Sequence, residues 1–106
     1  MRRELVPEPR VLREGPGWQE LELGRHADLF FAVHRHDFDD EAADDTSDRF
    51  HVLNLVAGEE VELETESGAT HGLSYAETIV VPAAVGGYRI RRVRGGPCRV
   101  VKAFVP

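Results

Sequence analysis

The chain has 106 residues, 42% of them hydrophobic and 30% charged, with a formal net charge of -6. That length holds one domain with one core and excludes two, and the acidic balance excludes a nucleic-acid partner, which would have to meet a concentrated basic face. Cys98 is the only cysteine, which excludes an intramolecular disulfide and leaves a buried, inert thiol as the expectation.

From Val6 to Gly17 the chain carries three prolines and two glycines, and residues 1–17 read as an extended N-terminal arm. Met1–Pro9 starts basic but has no apolar stretch of the kind a secretory signal needs. No apolar run approaches the roughly 20 residues that cross a bilayer. A cytoplasmic protein without membrane contact is the expectation. Twelve of the thirteen basic residues are arginine, which a coding bias explains.

Period-2 patterns dominate from Trp18 onward, and no helical period persists beyond a turn or two. Trp18–Leu23 alternates and predicts a first short strand, and Leu29–Phe38, rich in aromatic and branched residues, predicts a second. Asp37 to Asp48 then packs seven carboxylates into twelve residues. Charge repulsion at that density predicts a mobile, solvated acidic loop over residues 39–48. A calcium site at Asp44–Asp48 fails for want of a turn glycine and a glutamate at the last loop position.

Five more strands follow: Phe50–Val56, Glu59–Thr65, Thr78–Val81, Tyr88–Val93 and Arg99–Val105. Turn chemistry separates them at Ala57-Gly58, Glu66-Ser67-Gly68, Gly86-Gly87 and Gly95-Gly96-Pro97. Short strands at regular spacing without intervening helices predict an all-β, antiparallel sandwich or barrel spanning residues 18–106 as one domain.

The run Phe50–Gly58, Glu59–Thr65, Glu77–Pro82 resembles the core of a cupin, a double-stranded β-helix or jelly-roll barrel that usually holds a metal ion. Placing Gly58 at the end of the first cupin motif puts His51 at the glutamate ligand position. The paired histidines then fall near Asp44, Asp45, Thr46 and Ser47. Pro82 matches the proline of the second motif, and Gly87 or Tyr88 stands at its histidine. The expected metal ligands are therefore mostly replaced.

Phe30–Arg35, Phe50–Gly58 and Glu77–Ala84 are moreover similar to the C-terminal cupin domain of type I mannose-6-phosphate isomerases, from about Leu29 to the end of the chain. That family's zinc-ligand and catalytic motifs are missing here. The resemblance implies a fold and a carbohydrate-metabolism setting, with a sugar or sugar phosphate as ligand and no catalytic residue in this chain. It also implies a homodimer, or docking to a separate catalytic domain.

Four residues are candidates for lining a barrel pocket: His34, His36, His51 and Tyr88. Residues i and i+2 of a strand share a face, about 7 Å apart, so His34 and His36 can converge, and Ala32 and Phe38 mark their face as inward. With His51 they make an alternative three-nitrogen site for zinc, iron or manganese, the basis of a small metal-dependent isomerase or oxygenase. The other reading, a metal-free sugar-sensing pocket, treats the same side chains as hydrogen-bonding walls. Arg89, Arg91, Arg94 and Arg99 offer an anion patch, unless they pair with the row Glu60, Glu62 and Glu64. Large apolar groups on both faces of the Phe30–Val33 segment call for an outer cover, such as a second copy of the chain.

Overall fold

Alternation of apolar and polar residues produces ten antiparallel strands in a computed structural model that describes residues 10–24 and 31–105. They are β1 (Arg10–Gly15), β2 (Trp18–Gly24), β3 (Ala32–Phe38), β4 (Glu41–Asp45), β5 (His51–Ala57), β6 (Glu60–Thr65), β7 (Thr70–Ser74), β8 (Thr78–Val81), β9 (Gly87–Arg94) and β10 (Cys98–Phe104). A single 3-10 turn, Ala83–Val85, lies between β8 and β9. One sheet has six strands in the order β1-β2-β3-β10-β5-β8, and the other has four, β4-β9-β6-β7. No helix among the described residues is long and apolar enough to cross a membrane.

The two sheets face each other as a jelly roll. Every second residue points into the gap: Leu53 and Leu55 on β5, Val61 and Leu63 on β6, Tyr88 and Ile90 on β9, Cys98 and Val100 on β10. Phe38, Ala42, Leu73 and Val81 complete this apolar core. The outward residues of β6 and β9 are ion-paired, Arg91 with Glu62 and Glu64 and Arg94 with Glu60.

Three sequence expectations change. The acidic segment is not a loop throughout, because Glu41–Asp45 forms β4 and pairs along β9 with Glu41 opposite Arg91 and Ala43 opposite Arg89. Asp44 turns inward onto Lys102 and His36, Asp40 beside the strand pairs with Arg92 of β9, and Ala42 is the apolar anchor, so the repulsion that predicted a loop is offset. The N-terminal arm also gives up Arg10–Gly15 to β1, an edge strand on β2, while residues 1–9 lie outside those described. β7, an exposed edge strand with only Leu73 buried, gives too weak an alternation to be read from sequence. The second predicted strand begins at Ala32, and Leu29 and Phe30 lie outside the described residues.

Gly58, the glycine that anchored the motif alignment, turns the chain between β5 and β6 at φ 102°. A Cβ there would come within 2.8 Å of Cys98 Sγ. Gly58→Ala therefore combines a disfavoured backbone with a clash against a buried atom. It is expected to cost roughly 2–3 kcal/mol, seen as a fall of about 10 °C or more in the thermal midpoint.

Candidate functional site

At one end of the gap the apolar pattern gives way to charge. Strand alternation carries Glu20 (β2), His34 and His36 (β3), Lys102 (β10) and His51 (β5) inward from the six-stranded sheet. Register sets Glu20 opposite His36 and Lys102 opposite His34. The other sheet contributes Asp44 from β4 and Tyr88 from β9, which are register partners. Glu20 and Lys102 are each 4% exposed, His51 3% and His36 0%.

Lys102 lies at the centre. Its Nζ donates to Glu20 Oε2 at 2.9 Å and to Asp44 Oδ2 at 2.5 Å, and it lies 5.1 Å from the centre of the Phe104 ring. Glu20 Oε2 also meets His34 Nδ1 at 2.8 Å, and Oε1 accepts from Arg13 Nε at 2.7 Å. Asp44 Oδ2 meets His36 Nε2 at 2.8 Å, and Oδ1 accepts the Asp45 amide at 2.7 Å. All four carboxylate oxygens are thus engaged.

Burial by itself would raise both carboxyl pKa values. Hydrogen bonds from His34 and Lys102, with neighbouring positive charge, overcome it for Glu20 and hold it well below the usual carboxylate range. The His36 hydrogen bond and the Lys102 charge do the same for Asp44. Both carboxylates stay ionised at neutral pH and are poor bases.

His51 and Tyr88 form a separate pair, Nδ1 to Oη 2.7 Å. Burial, reinforced by the Lys102 charge, lowers His51 to about 4. Burial and the two carboxylates push the Tyr88 hydroxyl upward. The pair is therefore neutral at physiological pH.

All four sequence candidates point into one interior region, on different partners: His34 on Glu20, His36 on Asp44, His51 on Tyr88. The three imidazoles do not share one centre. Sequence reasoning missed Glu20, Asp44 and Lys102. A signal existed for the last, since the only lysine shares the strand face of the buried Cys98 and Val100, while Arg99 falls on the opposite, exposed face. The spacing that located the two cupin motifs did bring Asp44 and His51 of the first and Tyr88 of the second to the barrel interior. Of the other residues in the Asp44–Ser47 stretch, Asp45 and Ser47 are exposed, and Thr46 donates to Ala83 O at 2.7 Å and accepts the Gly86 amide at 3.1 Å.

The interior donor atoms can be tested for the metal ion that the sequence resemblance leads one to expect. Glu20, His36 and Asp44 offer three ligand atoms within 4.8 Å of one another. Yet Lys102 Nζ already touches both carboxylates, so an ion bound to them would sit about 3 Å from the ammonium. Repulsion between charges of +2 and +1 at that separation is on the order of 10 kcal/mol even at an effective dielectric constant near 20. With Lys102 in place the residues do not fit a divalent ion.

No family model matches the chain, and no curated protein matches it. Solved structures do. The cupin domain of Schizosaccharomyces pombe Cnp3 superposes with a TM-score of 0.65 at 12% identity, over 83% of this chain and 60% of that one. An RmlC-like cupin from Shewanella frigidimarina gives 0.68 at 16% identity, over 93% of this chain and 85% of that one. The polyketide cyclase RemF from Streptomyces resistomycificus gives 0.70 at 15% identity, over 99% and 79%. Identities this low speak to the fold alone, and the fold is that of a cupin: an all-β, antiparallel jelly-roll barrel.

The depressed His51 sets a pH dependence. Unfolded, its imidazole takes a proton near its ordinary 6.5; folded, it resists until about 4. The unfolded state binds more protons in that window, so stability falls as pH drops from about 6.5 towards 4, by up to ~3 kcal/mol. Glu20 and Asp44 add to the loss only further into acid. Urea unfolding at pH 7 and pH 5 should show the slope in the wild type and a much flatter profile in His51→Gln; equal slopes would remove His51 as its source.

Proposed function

We propose that the chain is a metal-independent cupin binding module in sugar metabolism, without turnover of its own. The role parallels that of the C-terminal domain of type I mannose-6-phosphate isomerases, which its sequence resembles. One observation carries the reading: the interior acids and histidines are engaged with one another around Lys102. Two carboxylates held ionised by such partners are too weakly basic for proton abstraction at neutral pH. The metal-dependent isomerase or oxygenase alternative needs His34, His36 and His51 on one ion, and their separate partners disfavour it.

The network reaches the surface on both sides of β4. One hollow, about 480 Å³, is lined by Arg13, Glu20, Ala43, Asp44, Asp45 and Ser47. The other, about 270 Å³, includes Asp44, Glu64, Thr65, Glu66, Tyr88 and Arg89. Carboxylates outnumber guanidiniums in both. Such walls accept hydrogen bonds from hydroxyl groups and repel a phosphate dianion. Arg91 and Arg94 are already paired with glutamates, which weakens the arginine patch as an anion site. We therefore favour a neutral sugar or polyol over a sugar phosphate.

Thermal-shift measurement with free hexoses, hexitols and hexose phosphates tests this. A neutral ligand at 100 times its dissociation constant should stabilise by about 2.7 kcal/mol, with the phosphates weaker. Stronger stabilisation by the phosphates would reverse the ligand class, and no shift with any of them would remove the binding role.

An assembly role has its own surface. Phe50, Val56 and Val80 stand exposed on the outer face of the six-stranded sheet, beside an apolar hollow lined by Phe31, Phe50, Val52, Ala103, Phe104 and Val105. A second copy of the chain is the partner we propose. Sedimentation velocity should find a dimer for the wild type and a monomer for Phe50→Asp, and a monomeric wild type would refute it.

A further inference from the structure

We propose that Lys102 is the barrel's resident cation: its ammonium holds, by covalent attachment, the position at which Glu20, His36 and Asp44 would close on a divalent metal ion. Removing it opens a metal site. The inference goes beyond the binding role and does not depend on which ligand the hollows take.

Three observations carry it. First, an imidazole and two carboxylates from three different strands converge with their ligand atoms within 4.8 Å of one another. Tetrahedral coordination at zinc distances needs about 3.4 Å between ligand atoms, so closure asks for roughly an ångström of contraction. Second, the ammonium makes the contacts an ion would make, 2.9 Å to Glu20 Oε2 and 2.5 Å to Asp44 Oδ2. Asp44 Oδ2 in turn meets His36 Nε2. His36 Nδ1 is the one buried side-chain nitrogen or oxygen among the described residues without a hydrogen-bond partner. Third, the charges match. The two carboxylates carry the charge that a divalent ion cancels, and in this chain Lys102 and Arg13 cancel it instead.

The ammonium is not presented to any ligand in either hollow. It is buried, lines neither hollow beside β4, and its remaining face is turned to the Phe104 ring. A lysine serving a bound ligand would present Nζ to a cavity. This one is enclosed by its own chain.

One imidazole with two carboxylates is a set that zinc accepts, and cobalt(II) is the spectroscopic probe for the same geometry. The test is Lys102→Met in the full chain, which keeps the side-chain length and removes the charge. After purification in chelator and desalting, the wild type should retain neither zinc nor cobalt. K102M should bind cobalt stoichiometrically, with the intense visible absorption of a four-coordinate ion, and zinc should raise its thermal midpoint. The expected gain in zinc affinity is at least about 100-fold, a small part of the repulsion that the ammonium imposes at contact distance. Adding Asp44→Asn to K102M should abolish binding.

A wild type that binds the ion as tightly as K102M overturns the proposal, as does a folded K102M that binds none, or metal that persists with Asp44→Asn. If K102M does not fold in chelator, refolding it with and without zinc decides the matter. Recovery only with zinc supports the proposal, and failure in both conditions overturns it. A missing sugar-induced shift in the wild type would leave all of these outcomes unaffected.

Discussion

One ammonium group ties the two sheets of this barrel to each other. Lys102 stands on the six-stranded sheet and Asp44 on the four-stranded one, and the 2.5 Å contact between them spans the gap. Taking a lysine and two carboxylates out of water costs several kcal/mol per ion, which their mutual attraction largely offsets. The net gain over apolar residues of the same size is small. The loss on removing one partner is large, because the others remain buried and uncompensated. The arrangement therefore specifies how the sheets align more than it stabilises them.

The rest of the interior follows from that constraint. Arg13 and Lys102 balance Glu20 and Asp44, so the polar end of the gap carries no net formal charge apart from the histidines. Apolar packing begins immediately beside it, with Leu53 opposite Lys102 and Val100 opposite His36 in register, and Leu53, Leu55, Val61, Leu63, Ile90 and Val100 are almost wholly enclosed. His51 and Tyr88 sit between the two regimes. Each is buried and neutral, and each satisfies the other.

The barrel was legible in the sequence because period-2 alternation and glycine turns are local signals. Strands β5, β6, β8, β9 and β10 lie within a residue or so of where the sequence set them. β4 was not legible, because it rests on pairing along β9 and on the Asp44–Lys102 contact, both more than forty residues away, and a local reading sees only repulsion among its acids. The site was half legible for a related reason. Inward-facing histidines announce themselves by residue type and spacing, and His34, His36 and His51 do lie inside. Their partners Glu20 and Asp44 look like ordinary solvated acids until register shows which strands they face. Lys102 was the exception that could have been read, a lone lysine on the core-facing side of its strand.

Cys98 lies directly beneath the Gly58 turn, wholly enclosed, with its thiol pushed up by burial. It sits on β10, the strand flanked by β3 and β5 near the middle of the larger sheet. A thiol reagent can reach it only after those strands separate, an event close to global opening. Since the chain has no other cysteine, the rate of thiol labelling becomes a single-site clock for how often the barrel comes apart. It requires no engineered probe.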